Sequence, residues 1–304
     1  MATGGRVAPA VAPLDRISLR FSLWRAEAGR TWRRLRRSPL SLVGLTMVIS
    51  LVMMAVFAPQ IAPYPEDART VHFEQVFRPP GLEHLFGTDE VGRDILSRVI
   101  IGSRISLTLG IVVLTIAVGV GVPLGLIAGY YGGWIQIVIM RITDVFLSFP
   151  PLVLALAVSA VLPPTLQNSI IAISFGWWPW YTRLVEGMTL SAKEEGFVEA
   201  SRSLGARPLY ICFREILPNL SSIVLIKATL DIGYAILVGA ALGFLGLGVQ
   251  PPTPEWGTMA AEGRLHLPNR WWLTTFPGLA IFVTVFAFNL LGDGLRDAFD
   301  VELA

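Results

Sequence analysis

Residues 105–129 read ISLTLGIVVLTIAVGVGVPLGLIAG, with no Asp, Glu, Lys or Arg anywhere in the run. At about 1.5 Å of rise per residue, a helix of that length exceeds the roughly 30 Å hydrocarbon core of a bilayer. A soluble core helix has no use for so long an uncharged stretch, so the segment reads as a membrane span. Comparable runs occupy Leu40–Ala62, Ile135–Leu162, Asn168–Tyr181, Leu220–Leu247 and Thr274–Leu291, giving six spans. The fourth is short, and Pro179 stands in it among Trp177, Trp178, Trp180 and Tyr181. Such an aromatic cluster is what a membrane-water interface collects.

Composition agrees with a chain dissolved by lipid. Of 304 residues, 53% are hydrophobic and 15% charged, and mean hydropathy is +0.61; a soluble domain is about one quarter charged. The net charge of +2 is too small to argue for nucleic acid. The single cysteine, Cys212, allows no intrachain disulfide, and His72, His84 and His266 are too scattered for a metal site, reading as ordinary loop residues. Arg16, Arg20, Arg25, Arg30, Arg33, Arg34, Arg36 and Arg37 crowd the tail before the first span. Under the positive-inside rule they hold the N-terminus in the cytoplasm, and six crossings return the C-terminus there. The first span is too long and too far from the start for a cleaved signal peptide. The expected organisation is a basic tail over 1–39, a first span over 40–62 and a polar outer segment over 63–104. A five-helix core follows over 105–292, with a short tail over 293–304.

Between the fourth and fifth spans, residues 191–222 read SAKEEGFVEASRSLGARPLYICFREILPNLSS. The pattern is helix, glycine break, helix. Phe197, Ala200 and Leu204 share one helical stripe, and Leu209, Ile211, Phe213, Ile216 and Leu217 give the second segment an apolar side. Gly205 ends the first helix where a residue free to take positive φ is cheapest. A linker needs neither the order nor the amphipathicity, so this is a surface built against another protein or against its own bundle.

Glu199-Ala200-Ser201, Gly205 and Ile216-Leu217-Pro218-Asn219 resemble the EAA loop of bacterial and archaeal ABC-importer permeases. Ser201 stands where alanine is usual, and Glu215 where the pattern often has an apolar residue. Three further segments are similar to the C-type permease of dipeptide, oligopeptide and nickel transporters. They are GTDEVGRDILSRVIIGSRISL (87–107), LGFLGLGVQPPTPEWG (242–257) and FNLLGDGLRDAFD (288–300). The resemblance covers roughly residues 38–300. It implies an all-α membrane protein of the type I ABC-importer permease class, with six transmembrane helices and a cytoplasmic coupling loop at 191–219. In that class Glu199, Ala200, Gly205, Leu217 and Pro218 would meet an ATPase subunit. The implied partners are a homologous second permease, two cytoplasmic ABC ATPases and an extracytoplasmic solute-binding protein, in the inner membrane of a bacterium or archaeon. The cargo would be peptides or similar small solutes.

A P-loop needs a glycine-rich turn ending in Lys-Ser/Thr. The two lysines, Lys193 and Lys227, follow no such turn, so no cofactor is expected in this chain, and ATP and Mg would bind to the partner ATPases. No Ser-His-Asp set argues for a membrane-embedded enzyme. An ion-driven secondary transporter would favour an inverted repeat and ionisable residues at mid-membrane; no repeat stands out and the charged pairs are few.

Those pairs still require an account, because charge at bilayer depth is costly. Lys227 and Asp231 lie one helical turn apart in the fifth span, and Arg141 and Asp144 lie near the start of the third. Each pair either holds the bundle together or lines the solute path. The outer stretch 250–272 either receives the binding protein, through Glu255, Trp256 and Arg264, or folds back as a plug against the bundle.

Overall fold

The computed structural model describes residues 36, 38–66, 68 and 70–299. The basic tail, apart from Arg36, and the last five residues lie outside it. Among the described residues every regular element is helical, with one isolated bridge between Thr88 and Asp94. The first apolar run forms α1 (Pro39–Val56), capped by Ser38, and continues after Phe57 as the short α2 (Ala58–Ile61). The second forms α3 (Ile95–Tyr131), which starts well before Ile105 because the Asp94 carboxylate accepts the Ser97 N–H at 2.8 Å.

The third run is not one straight span. It divides into α4 (Gly133–Leu147) and α5 (Pro151–Ser159), bent by 83° at the break. Pro150 and Pro151 supply no N–H there. The fourth run is longer than expected: α6 (Leu166–Ala192) passes through Pro179 and beyond Tyr181. Its later charges find partners on α4. Arg183 pairs with Asp144, and Gln136 donates to Glu186 at 2.6 Å. After α7 (Gly196–Ser203), α8 (Pro208–Phe244) runs as one helix with a π-helical stretch at Ile211–Ile216. The outer stretch contains α9 (Trp256–Arg264), and the sixth run is α10 (Trp272–Phe299).

Four of these helices, α1, α3, α8 and α10, are long and apolar enough to cross a membrane, and the bent pair α4–α5 makes up to five. The central contact joins α3 to α6. Gly121, Gly125 and Gly129 repeat every fourth residue along α3, and a Cβ on them would lie 2.5–2.6 Å from Trp178, Thr182 or Thr189 of α6. Small residues at this spacing let membrane helices approach backbone to backbone. This signal stands plainly in the sequence. Gly125→Leu is expected to force the two helices apart and cost about 2 kcal/mol or more. The check is the yield of monodisperse protein in mild detergent, which falls steeply while Gly119→Leu, facing open space, leaves it near wild type.

Ahead of α3 the chain folds into a polar knot. His84 is buried, with Nδ1 2.9 Å from Asp94 and Nε2 3.0 Å from Gln75, so it is a structural bridge and no ordinary loop residue. The Asp89 carboxylate holds Arg93 at 2.6 Å and also Arg98, and Arg98 reaches Glu262 of α9 at 3.2 Å. The segment 87–98 thereby fastens the start of α3 to the outer helix.

Candidate functional site

The helix-break-helix expected at 191–219 is present. Gly205 has φ +77°, with its N–H bonded to Arg202 O at 3.0 Å and the Ala206 N–H to Ser201 O at 3.1 Å. These two bonds define a Schellman motif, which satisfies the last carbonyls of α7 and turns the chain. Pro208 begins the next helix. Pro218 has no N–H for the carbonyl of Arg214, and the π-helical register at Ile211–Ile216 comes just before it. Such irregular turns concentrate at functional positions.

One side of this unit packs inward: Val198, Ile211, Cys212 and Ile216 are fully buried, in one cluster with Leu126 and Val185. The other side is apolar and uncovered. Leu204 is 89% exposed, Leu209 55% and Tyr210 48%, and Phe197 and Phe213 also lie open. The stripe of Phe197, Ala200 and Leu204 therefore faces away from its own bundle. Glu199, Ala200, Gly205 and Pro218 are exposed and Leu217 half-buried. A Cβ built on Gly205 meets nothing within 4 Å.

The intramembrane charges sort differently from the sequence expectation. Lys227 and Asp231 do pair, at 2.9 Å, and α6 adds two donors to the same carboxylate. Tyr181 donates its O–H to Asp231 at 2.9 Å and Trp177 its Nε1–H at 3.4 Å. Arg141 and Asp144 do not pair. Arg141 lies on an exposed face of α4, and Asp144 takes Arg183 of α6 as its partner. Adjacent turns of one helix gave proximity, but the facing helix offered the better-placed guanidinium.

At the outer stretch, Glu255 and Trp256 are not surface residues. Glu255 is buried and caps α9 by accepting the N–H groups of Gly257 at 2.9 Å and Thr258 at 2.8 Å. Burial pushes its carboxyl above the usual range, against the pull of those hydrogen bonds. Trp256 is fully buried and donates to Val99 O of α3 at 2.9 Å. Arg264 is exposed, with its guanidinium over the Phe244 ring. Glu255 and Trp256 therefore pack inward, and of the three side chains only Arg264 is exposed. A cysteine replacing Arg264, in a Cys212→Ser background, is expected to react with a water-soluble maleimide at least about tenfold faster than one replacing Glu255. Mass spectrometry of the labelled protein measures both.

Residues 121–303 match the family described as binding-protein-dependent transport system inner membrane component. Residues 22–80 match the N-terminal TM domain of oligopeptide transport permease C. The chain is 43% identical over 284 residues to the dipeptide transport system permease protein DppC of Alkalihalophilus pseudofirmus, covering 93% of this chain and 91% of that one. It is 46% identical over 273 residues to the glutathione transport system permease protein GsiD of Escherichia coli, covering 90% and 89%. A solved structure of the MetNI methionine ABC transporter in inward-facing conformations is similar in fold, with TM-score 0.54 and 22% identity over 66% of this chain and 95% of that one. The chain belongs to the inner-membrane permease components of binding-protein-dependent ABC importers. It is a transport subunit without an ATPase site of its own, and its family is not that of ion-driven carriers.

Proposed function

We propose that this chain is one half of the membrane path of a peptide-type importer, and that residues 191–219 are the surface on which an ATPase subunit seats. The observation that carries the reading is the uncovered apolar side of α7 and the start of α8, built around an otherwise well-capped turn. A solvent-facing loop has no reason to expose Leu204, Leu209, Tyr210 and Phe213 together, and an apolar patch of this kind marks a docking surface. Glu199 and Arg202 flank it with charge for orientation. The sequence match to the EAA pattern supports the same assignment.

The path itself needs a second, homologous permease, and an extracytoplasmic binding protein delivers cargo. α6 completes six crossings: it is 27 residues long and its two charges are partnered by α4. The arginine-rich tail fixes both termini in the cytoplasm of a bacterial or archaeal cell. The cargo is a small peptide, a reading supported by likeness to permeases named for dipeptides and for glutathione. Co-purification tests the docking surface. Changing Phe197 and Leu204 together to Ser is expected to cut recovered ATPase to roughly a tenth or less, the scale set by loss of central apolar anchors. Full recovery would remove this face from the interface.

A further inference from the structure

Asp231 stands near the middle of the apolar part of α8, and its three donors come from two helices. Lys227 is held differently. Among the described residues its ammonium hydrogen-bonds only to the Asp231 carboxylate, at 2.9 and 3.1 Å, and it lies 5.5 Å from the centre of the Tyr181 ring. The side chain of Lys227 is 31% exposed and that of Asp231 14%. The other sides of α8 are taken: Gly239 packs on Leu109 of α3 and Gly233 on Val285 of α10. The Lys227 side opens outward, and Tyr234, 48% exposed with its ring tilted against that of Trp177, continues it along the helix.

An ammonium at that depth does not face hydrocarbon, because charged groups in spans turn to protein or to a water-filled cavity. On the permease reading, the outward side of Lys227 faces the space between the two permeases, which is the path. The partners are also unequal. When Lys227 swings away, Asp231 keeps the Tyr181 hydroxyl and the Trp177 indole, whereas Lys227 is left bare. A bare ammonium in a low-dielectric passage is an anion site, and the ring of Tyr234, about two turns further along the same face, offers an apolar flank.

We propose that Lys227 binds the carboxylate of the cargo during passage, exchanging Asp231 for it, and so selects solutes that carry a free carboxylate. This rests on the permease reading. Tyr181 and Trp177 act as positioning residues that hold Asp231 through the exchange.

The test uses the full complex, with its second permease, ATPases and binding protein, reconstituted in vesicles. The probes are alanyl-alanine, glutathione and the C-terminal amide of alanyl-alanine. Lys227→Gln is expected to lower dipeptide carried per ATP hydrolysed at least about thirtyfold, the low end of what losing one partner of a buried charge pair costs. Lys227→Arg retains most of it, the amide is carried poorly by wild type, and Lys227→Gln with Asp231→Asn together does not recover. A purely structural pair predicts the reverse for the double variant, and recovery there overturns the proposal. A second arm is independent of cargo. Tyr234→Cys, in a Cys212→Ser background, reacts with both anionic and cationic methanethiosulfonates. Adding Lys227→Gln is expected to lower the anionic-to-cationic rate ratio roughly fivefold. An unreactive Tyr234→Cys, or an unchanged ratio, overturns the proposal. A wild-type complex that carries neither carboxylate probe contradicts the peptide-type cargo reading instead, and the reagent ratio then decides for or against Lys227.

Discussion

Gly205→Asp is expected to abolish transport while leaving the permease folded and membrane-inserted. The backbone at this position sits at φ +77°, where any Cβ costs roughly 1 kcal/mol, and aspartate is among the residues that tolerate the left-handed region best. Apart from its two chain neighbours, nothing among the described residues lies within 4 Å of the new Cβ. The fold therefore absorbs the change, and a large functional loss would report on something outside the chain. A carboxylate placed beside Leu204 and Leu209 would have to be desolvated in an apolar interface, at a cost of several kcal/mol. Co-purified ATPase, or hydrolysis coupled to solute entry, should fall at least about a hundredfold by that estimate. Gly205→Ala adds the backbone strain without the charge, so its defect should be within about tenfold. Glu199→Ala should be milder still.

Arg98→Ala is expected to be the most destabilising single change in the outer part of the molecule. Arg98 is 1% exposed and bridges Asp89 to Glu262 across the gap between α3 and α9. Its removal leaves Asp89 and Glu262 to share Arg93, at 2.6 and 3.7 Å, so one negative charge of the group loses its counter-charge while Asp89 keeps the backbone N–H groups of Val91 and Arg93. Stranding a buried charge costs about 3–5 kcal/mol. Thermal unfolding of the purified protein, followed by loss of monodispersity, should shift downward by several degrees. Arg78→Ala breaks an exposed pair with Glu83 and should shift it hardly at all.

The parts of this molecule that local pattern controls were legible before any coordinates. Apolar runs of span length mark α1, α3, α8 and α10, and the glycine between Leu204 and Ala206 marks the end of α7. Lys227 and Asp231 were paired by helical spacing alone. What failed were inferences about side chains whose partners are distant in sequence. The fourth run is expected to end at Tyr181, and nothing near it in sequence shows that Asp144 pairs with Arg183 or that Gln136 donates to Glu186. Asp144 was given to Arg141 because spacing within one helix is visible and the facing helix is not. Trp256 looked like a docking aromatic, but its indole belongs to Val99 O, far back along the chain. The Gly121, Gly125, Gly129 stripe is a four-residue period of small residues inside a long apolar run, a pattern the sequence carries without reference to any partner helix.

The central claim is that an ATPase subunit covers the open side of residues 191–219. Photo-crosslinking from a diazirine amino acid at position 204 of the assembled transporter tests this, with position 82 as control, since Leu82 is fully exposed on the segment between α2 and α3. The account predicts that position 204 links to an ATPase subunit and that position 82 does not. A crosslink from position 204 to the binding protein, or to lipid alone, would contradict it.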